Sequence, residues 1–234
     1  MKKYPTRKIY VFILEGESDK YALERILQKI YTNRYIYPIV INGDITSDYN
    51  IEDKDMLKEL WKKISSAISR NKWKKTDIMQ IIHIVDTDGA FIPPSSIIQA
   101  SVDEVTYFND RIECSNPITI SQRNIRKMRR INILNSTPLL ENIPYELYYM
   151  SCNLDHVLYN EQNLEDHLKT IKADQFSESF VGNERSFVSF IKDKCFGVPA
   201  SYIESWNYIK KDLHSLERHN NFFLCFNKHN PDCL

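Results

Sequence analysis

Neither sign of charge dominates this 234-residue chain: 31 lysines and arginines stand against 31 aspartates and glutamates, a formal net charge of zero. Bulk attraction to nucleic acid is therefore excluded, and any such binding has to use a local patch. The five cysteines, Cys114, Cys152, Cys195, Cys225 and Cys233, include no Cys-x-x-Cys pair. That removes a zinc ribbon or a thioredoxin-type motif and suits a reducing cytoplasm. No apolar run approaches the roughly 18 residues of a membrane-spanning helix. Basic residues 1–8 are followed only by the short run Ile9 to Leu14, which Glu15 ends, so no signal peptide is evident and a soluble cytoplasmic protein is expected. Internal repeats, low-complexity linkers and a Walker A sequence are also lacking, so any ATP dependence would come from a partner.

What is present is an ordinary globular composition, 42% hydrophobic and 26% charged, enough to bury a core and too apolar for long disorder. Residues 8–14 form a continuous β-branched and aromatic run, the pattern of a strand buried on both faces of a parallel sheet. From Ser18 onward, Leu23, Ile26, Leu27 and Ile30 repeat at helical spacing. A second run, Ile36 to Ile41, contains Pro38, which suits an edge strand; Leu57, Leu60, Trp61, Ile64 and Ile68 then predict a helix fading near Asn71. The third run, Ile78 to Val85, completes a βαβαβ order and predicts a parallel α/β sheet.

Beyond Pro93-Pro94 the spacing predicts a helix near Ile97 to Phe108, an extended stretch from Asn116 to Ile120, and a helix from Gln122 capped by Ser121. A strand follows at Tyr145 to Met150. Two amphipathic faces come after it, Phe187/Phe190/Ile191 and Trp206/Ile209/Leu213/Leu216. The expected organisation is a core over residues 1–160, with an insertion at about 95–140, and a helical region over 161–234 that packs on the core or forms an interface.

Three of only five glycines, Gly16, Gly43 and Gly89, fall at the predicted strand ends. In a parallel sheet these ends share one edge, where ligands bind. Glu15, Asp19, Asp86 and Asp88 would crowd there, and like charges so close call for protons or a cation. Mg²⁺ takes one or two carboxylates and keeps waters that a phosphate oxygen can displace. The same Glu15-Gly16-x-x-Asp19 segment also reads as a solvated strand end with Ser18 or Asp19 capping a helix.

Leu14-Glu15-Gly16-Glu17-Ser18-Asp19, Gly43 after the middle strand, and Asp86-Thr87-Asp88 after the third resemble the motifs of Toprim domains, including OLD-type nucleases and small nucleases of phage defence. The resemblance implies a Toprim-like, Rossmann-like parallel-sheet core with a mainly helical C-terminal part. It also implies a nuclease dependent on Mg²⁺ or Mn²⁺, with Glu15 as acid/base or bridging ligand and Asp86 and Asp88 as metal ligands. Asp19 would serve a second metal, and Asp155 in Asn153-Leu154-Asp155-His156-Val157-Leu158 resembles the family's later acidic position, with Asp in place of Glu. DNA or RNA as substrate, an ABC-type ATPase partner, a homo-oligomer and an anti-phage role are implied in the same way.

Two other readings stay open: a non-catalytic Toprim-like module that binds nucleic acid or a partner, and a phosphatase using Asp86. Val85-Asp86-Thr87-Asp88-Gly89 also resembles the nucleophile motif of haloacid-dehalogenase-like phosphatases, although no later apolar strand ends in paired Asp. Arg123, Arg126, Lys127, Arg129 and Arg130 form a dense basic run, which is either a phosphate-binding patch or a solvated helix face. His83 reads as a core residue, His156 as core or site, and His214 and His219 as surface or packing residues. The C-terminal aromatics read as core or interface.

Overall fold

The computed structural model describes residues 9–31, 35–40 and 44–229. Two βα units open the chain: β1 (Ile9–Leu14), α1 (Glu17–Ile30), β2 (Tyr35–Val40) and α2 (Met56–Arg70), followed by β3 (Ile78–Asp86). A small ribbon comes next, β4 (Ile97–Gln99), β5 (Thr106–Tyr107) and β6 (Ile112–Cys114), and then the long helix α3 (Pro117–Asn135). The chain continues through β7 (Leu139–Leu140), β8 (Ile143–Ser151), α4 (Leu154–Tyr159), α5 (Asp166–Ser179) and α6 (Glu184–Ile191). It ends with α7 (Tyr202–Ile209), β9 (His219–Asn220) and α8 (Phe223–His229). The protein is mixed α/β with a mostly parallel central sheet.

The sheet runs β2-β1-β3-β8-β7, with β9 also paired to β8. β2, β1, β3 and β8 are mutually parallel, while β7 and β9 run antiparallel to β8. Pro38 accordingly lies in the edge strand β2, where a missing amide donor is tolerated. The period of two along β1 splits its side chains between two helical layers. Tyr10, Phe12 and Leu14 pack with α1, α6 and α8, whereas Ile9, Val11 and Ile13 pack with α2, α3 and α7.

Three expectations need correction. Residues 97–108 form no helix; they supply the ribbon of order β4-β6-β5, because Ile97, Ile98, Val105, Thr106 and Tyr107 favour extended backbone and find partners in residues 112–114. Residues 117–120 are helical rather than extended, and only Asn116 keeps extended backbone. Asn116 is the cap of α3, its Oδ1 accepting from the Ile118 and Thr119 amides at 3.1 and 3.2 Å, and Pro117 occupies the first helical position. Ser121 is therefore inside the helix. Finally, α7 stops at Ile209, so Leu213 and Leu216 follow it in turns.

The C-terminal elements complete the core. Phe187, Phe222 and Phe226 are fully buried against the Phe12 face, and the Asn221 side chain accepts from the Tyr149 amide at 2.9 Å.

Candidate metal centre

The parallel strands deliver their carboxyl ends to one edge. β1 ends at Leu14, placing Glu15 beside the end of β3, and the Asp86 amide donates to Glu15 Oε1 at 3.3 Å. Asp86 pairs in register with Met150 of β8, which brings the start of α4 alongside; the Leu154 amide donates to Asp86 Oδ1 at 2.9 Å. Gly43 lies outside the described residues, but Asp44, next in sequence, is at the same edge.

The turn after β3 is tightly held. The Asp88 amide donates to the Cys152 carbonyl at 2.8 Å, and Thr87 Oγ1 donates to the Ser215 carbonyl at 2.7 Å. Asp88 and Gly89 both adopt left-handed backbone, with φ of 46° and 66°. Aspartate tolerates this region and glycine favours it. A Cβ on Gly89 would also lie 2.6 Å from Leu216 Cδ2.

Five acidic side chains named from the sequence line one cleft of about 950 Å³: Glu15, Asp19, Asp86, Asp88 and Asp155. Asp44 lines it too. The outer wall comes from the ribbon and from residues 162–169. There Tyr107 and Asn163 bond reciprocally, amide to Oδ1 and Nδ2 to carbonyl, each at 2.8 Å.

Burial and like charge shape the electrostatics. Burial, then the neighbouring Asp44 charge, push the Glu15 carboxyl well above its ordinary range, and burial, then Glu15, do the same to Asp86. Burial raises Asp19 to about 6, against the hydrogen bond its Oδ2 accepts from the Gly16 amide at 2.9 Å. Asp19 thus also caps α1, as its position three residues after Gly16 allows. Burial and then Asp19 raise Asp155 to about 6. Asp44 is the exception: despite burial, the Lys127 ammonium holds its carboxyl far below the usual range.

The basic run on α3 is not one exposed surface. Positions 123, 127 and 130 follow helical spacing on the inner side. Lys127 is 0% exposed and bonds Asp44 Oδ2 at 2.6 Å and Asp88 Oδ2 at 2.5 Å. Arg130, 1% exposed, reaches Asp53 at 2.9 Å and the carbonyls of Ile45, Asp48 and Ile51. Arg123 donates to the Asp88 carbonyl at 2.9 Å and the Tyr107 hydroxyl at 2.7 Å. Arg126 contacts the Ser47 carbonyl and Arg129 contacts Asp53, both nearer the surface. The run chiefly pins the 44–53 loop and the 86–89 turn.

Four histidines stay outside the cleft, while the exposed His167 lies on its rim. His83 Nδ1 bonds the Tyr145 hydroxyl at 2.7 Å, and burial lowers the ring to about 3. His156 accepts from the Cys152 amide at 3.3 Å and is lowered to about 4, first by burial and then by Arg218. His214 stacks on Tyr208 with centroids 3.9 Å apart, and His219 bonds the Tyr208 hydroxyl at 3.0 Å.

Sequence reading missed Asp44 and placed Lys127 only within the basic run, as a candidate phosphate contact. Asp44 was visible as the acidic residue after Asn42-Gly43 at the middle strand end. Lys127 could be separated from its neighbours only once the inner side of α3 was known.

The donor set is all oxygen. Among the described residues no three His, Cys, Asp or Glu side chains close on one point as a ligand cage. An all-oxygen donor set suits a hard cation such as Mg²⁺, which takes one or two carboxylates and keeps its waters, better than structural zinc. Glu15 and Asp86 fit this demand. No family model, curated protein or solved structure matches the chain, so its function rests on the chemistry of this site.

Proposed function

We propose that this chain is a Toprim-type nuclease that cleaves phosphodiester bonds of DNA or RNA with Mg²⁺ or Mn²⁺ held by Glu15 and Asp86. One observation carries the reading. Two half-buried carboxylates stand together at the carboxyl edge of a parallel sheet, both raised first by desolvation and then by neighbouring acidic groups, and they open into a large cleft. A cation would offset the charge of such a pair, and phosphoryl transfer is a chemistry that a cation there would serve.

When bound, the cation would supply Lewis acidity toward a phosphate oxygen and lower the pKa of water. Asp86 is oriented for this by the Leu154 amide, and Glu15 by the Asp86 amide. The Glu15 carboxyl, with its strong proton affinity, can hold and return a proton at the reacting centre. The strand order supports this reading over a dehalogenase-like phosphatase, since the Asp86 motif follows the third strand rather than the first.

The test is cleavage of mixed DNA and RNA substrates with Mg²⁺ or Mn²⁺ by the wild type, Glu15→Gln and Asp86→Asn. Loss of about 10²-fold or more in rate is expected for each variant. Equal cleavage by all three removes the site. Metal binding without cleavage favours a module that binds nucleic acid or waits for a partner such as an ABC-type ATPase, and hydrolysis of small phosphomonoesters favours the phosphatase.

A further inference from the structure

The four carboxylates at the sheet edge are not equivalent. Asp44 and Asp88 share a protein cation, Lys127, whose Nζ lies 2.6 and 2.5 Å from their Oδ2 atoms. Glu15 and Asp86 are contacted by backbone amides, and among the described residues neither forms an ion pair with a lysine, arginine or histidine. Lys127 pairs directly with one half of the cluster; its charge reaches Glu15 and Asp86 only across space, without an ion pair.

Lys127 has no room to leave. Its side chain is fully buried on a 19-residue helix whose neighbouring residues are tied down on either side of it. Arg123 and Asn124 bond the carbonyls of Asp88 and Gly89, and Arg130 bonds those of Ile45 and Asp48. An ammonium buried without a partner is costly, so a metal ion that took over Asp44 and Asp88 would leave Lys127 stranded. It would also sit against the ammonium across shared oxygens, where like charges repel strongly.

Resting on the reading of Glu15 and Asp86 as the metal-holding pair, we infer that Lys127 is the resident cation of the Asp44–Asp88 half and confines divalent-ion binding to the Glu15–Asp86 half. Lys127 is a positioning residue: through two aspartates it sets where the cleft accepts an ion and how many. Asp88, which the resemblance to Toprim domains groups with the metal ligands, belongs instead to the lysine.

The test is Mn²⁺ binding to the full chain, followed by loss of the free-ion signal in electron paramagnetic resonance, which needs no cleavage. Glu15→Gln and Asp86→Asn are expected to weaken binding about tenfold or more, and Asp88→Asn to change it by no more than about threefold. Lys127→Met, which leaves two aspartates without their cation, is expected to bind one Mn²⁺ more per chain than the wild type. Should Lys127→Met fail to fold by circular dichroism, the comparison of Asp88→Asn with Glu15→Gln decides. Asp88→Asn keeps the Lys127–Asp44 pair, and asparagine suits the left-handed backbone there.

The inference is overturned, with the metal site intact, if Asp88→Asn weakens binding as much as Glu15→Gln, or if Lys127→Met folds and binds no additional ion. If the wild type binds no Mn²⁺, or Glu15→Gln binds it unchanged, the metal-site reading itself fails and this inference falls with it.

Discussion

Burial and the adjacent Asp44 charge give the Glu15 carboxyl its preference for a proton, and the consequence is measurable in the metal-free protein. Its ordinary value is 4.5, so above that pH the unfolded chain has released a proton that the folded chain still holds. Stability contributed at low pH is therefore lost as pH rises from 4.5 through the higher folded value. Glu15→Gln lacks this group. Relative to the wild type it should gain stability with pH, by up to about 1.4 kcal/mol per unit, in urea titrations at a series of pH values. The histidines do not confuse the comparison, because His83 and His156 are shared by both proteins. Gly89 offers a second test at this scale. Its φ of 66° and the 2.6 Å approach of a Cβ to Leu216 predict that Gly89→Ala destabilises by about 1–3 kcal/mol in urea unfolding. Glu15, Asp86, Asp88 and Gly89 were legible in the sequence because strand ends announce themselves as apolar runs broken by glycine and acid. Lys127 was not, because burial on one side of a helix depends on what packs against it.

At the scale of elements, the three opening strands and the helices α1 and α2 were readable because long β-branched runs and helical spacing agree with the final environment. The segment 97–120 was not. Its strands are two or three residues long and exist by pairing with each other, and the β-branched Ile118-Thr119-Ile120 sits in a helix. A local cap outweighed intrinsic preference there: Asn116 satisfies two amide donors at the start of α3. Asn116→Ala should cost about 1 kcal/mol, measured as a lower urea midpoint with an unchanged slope. Because α3 carries Lys127, Arg123 and Asn124, its first turn also anchors the acid-lined cleft.

For the whole molecule, the C-terminal region is a part of the fold rather than an appendage. β9 extends the sheet beside β8, and Phe187, Phe222 and Phe226 close the face of β1 that carries Phe12. A chain ended after Asn160 should lose its cooperative thermal transition, followed by circular dichroism; a sharp melt in that fragment would show that 9–160 folds alone. Among the described residues no helix is long and apolar enough to cross a membrane. The acid-lined cleft is the feature that all layers of the fold converge on. We propose that Glu15 and Asp86 there form a divalent-cation site whose protons the metal displaces. The most direct measurement is titration calorimetry of Mn²⁺ binding at a series of pH values, each in two buffers of different ionisation heat, which counts protons released. The account predicts binding with net proton release in the wild type, and binding weaker by about tenfold or more with less release in Glu15→Gln and Asp86→Asn. Binding with no proton release, or with equal affinity in all three proteins, would contradict it.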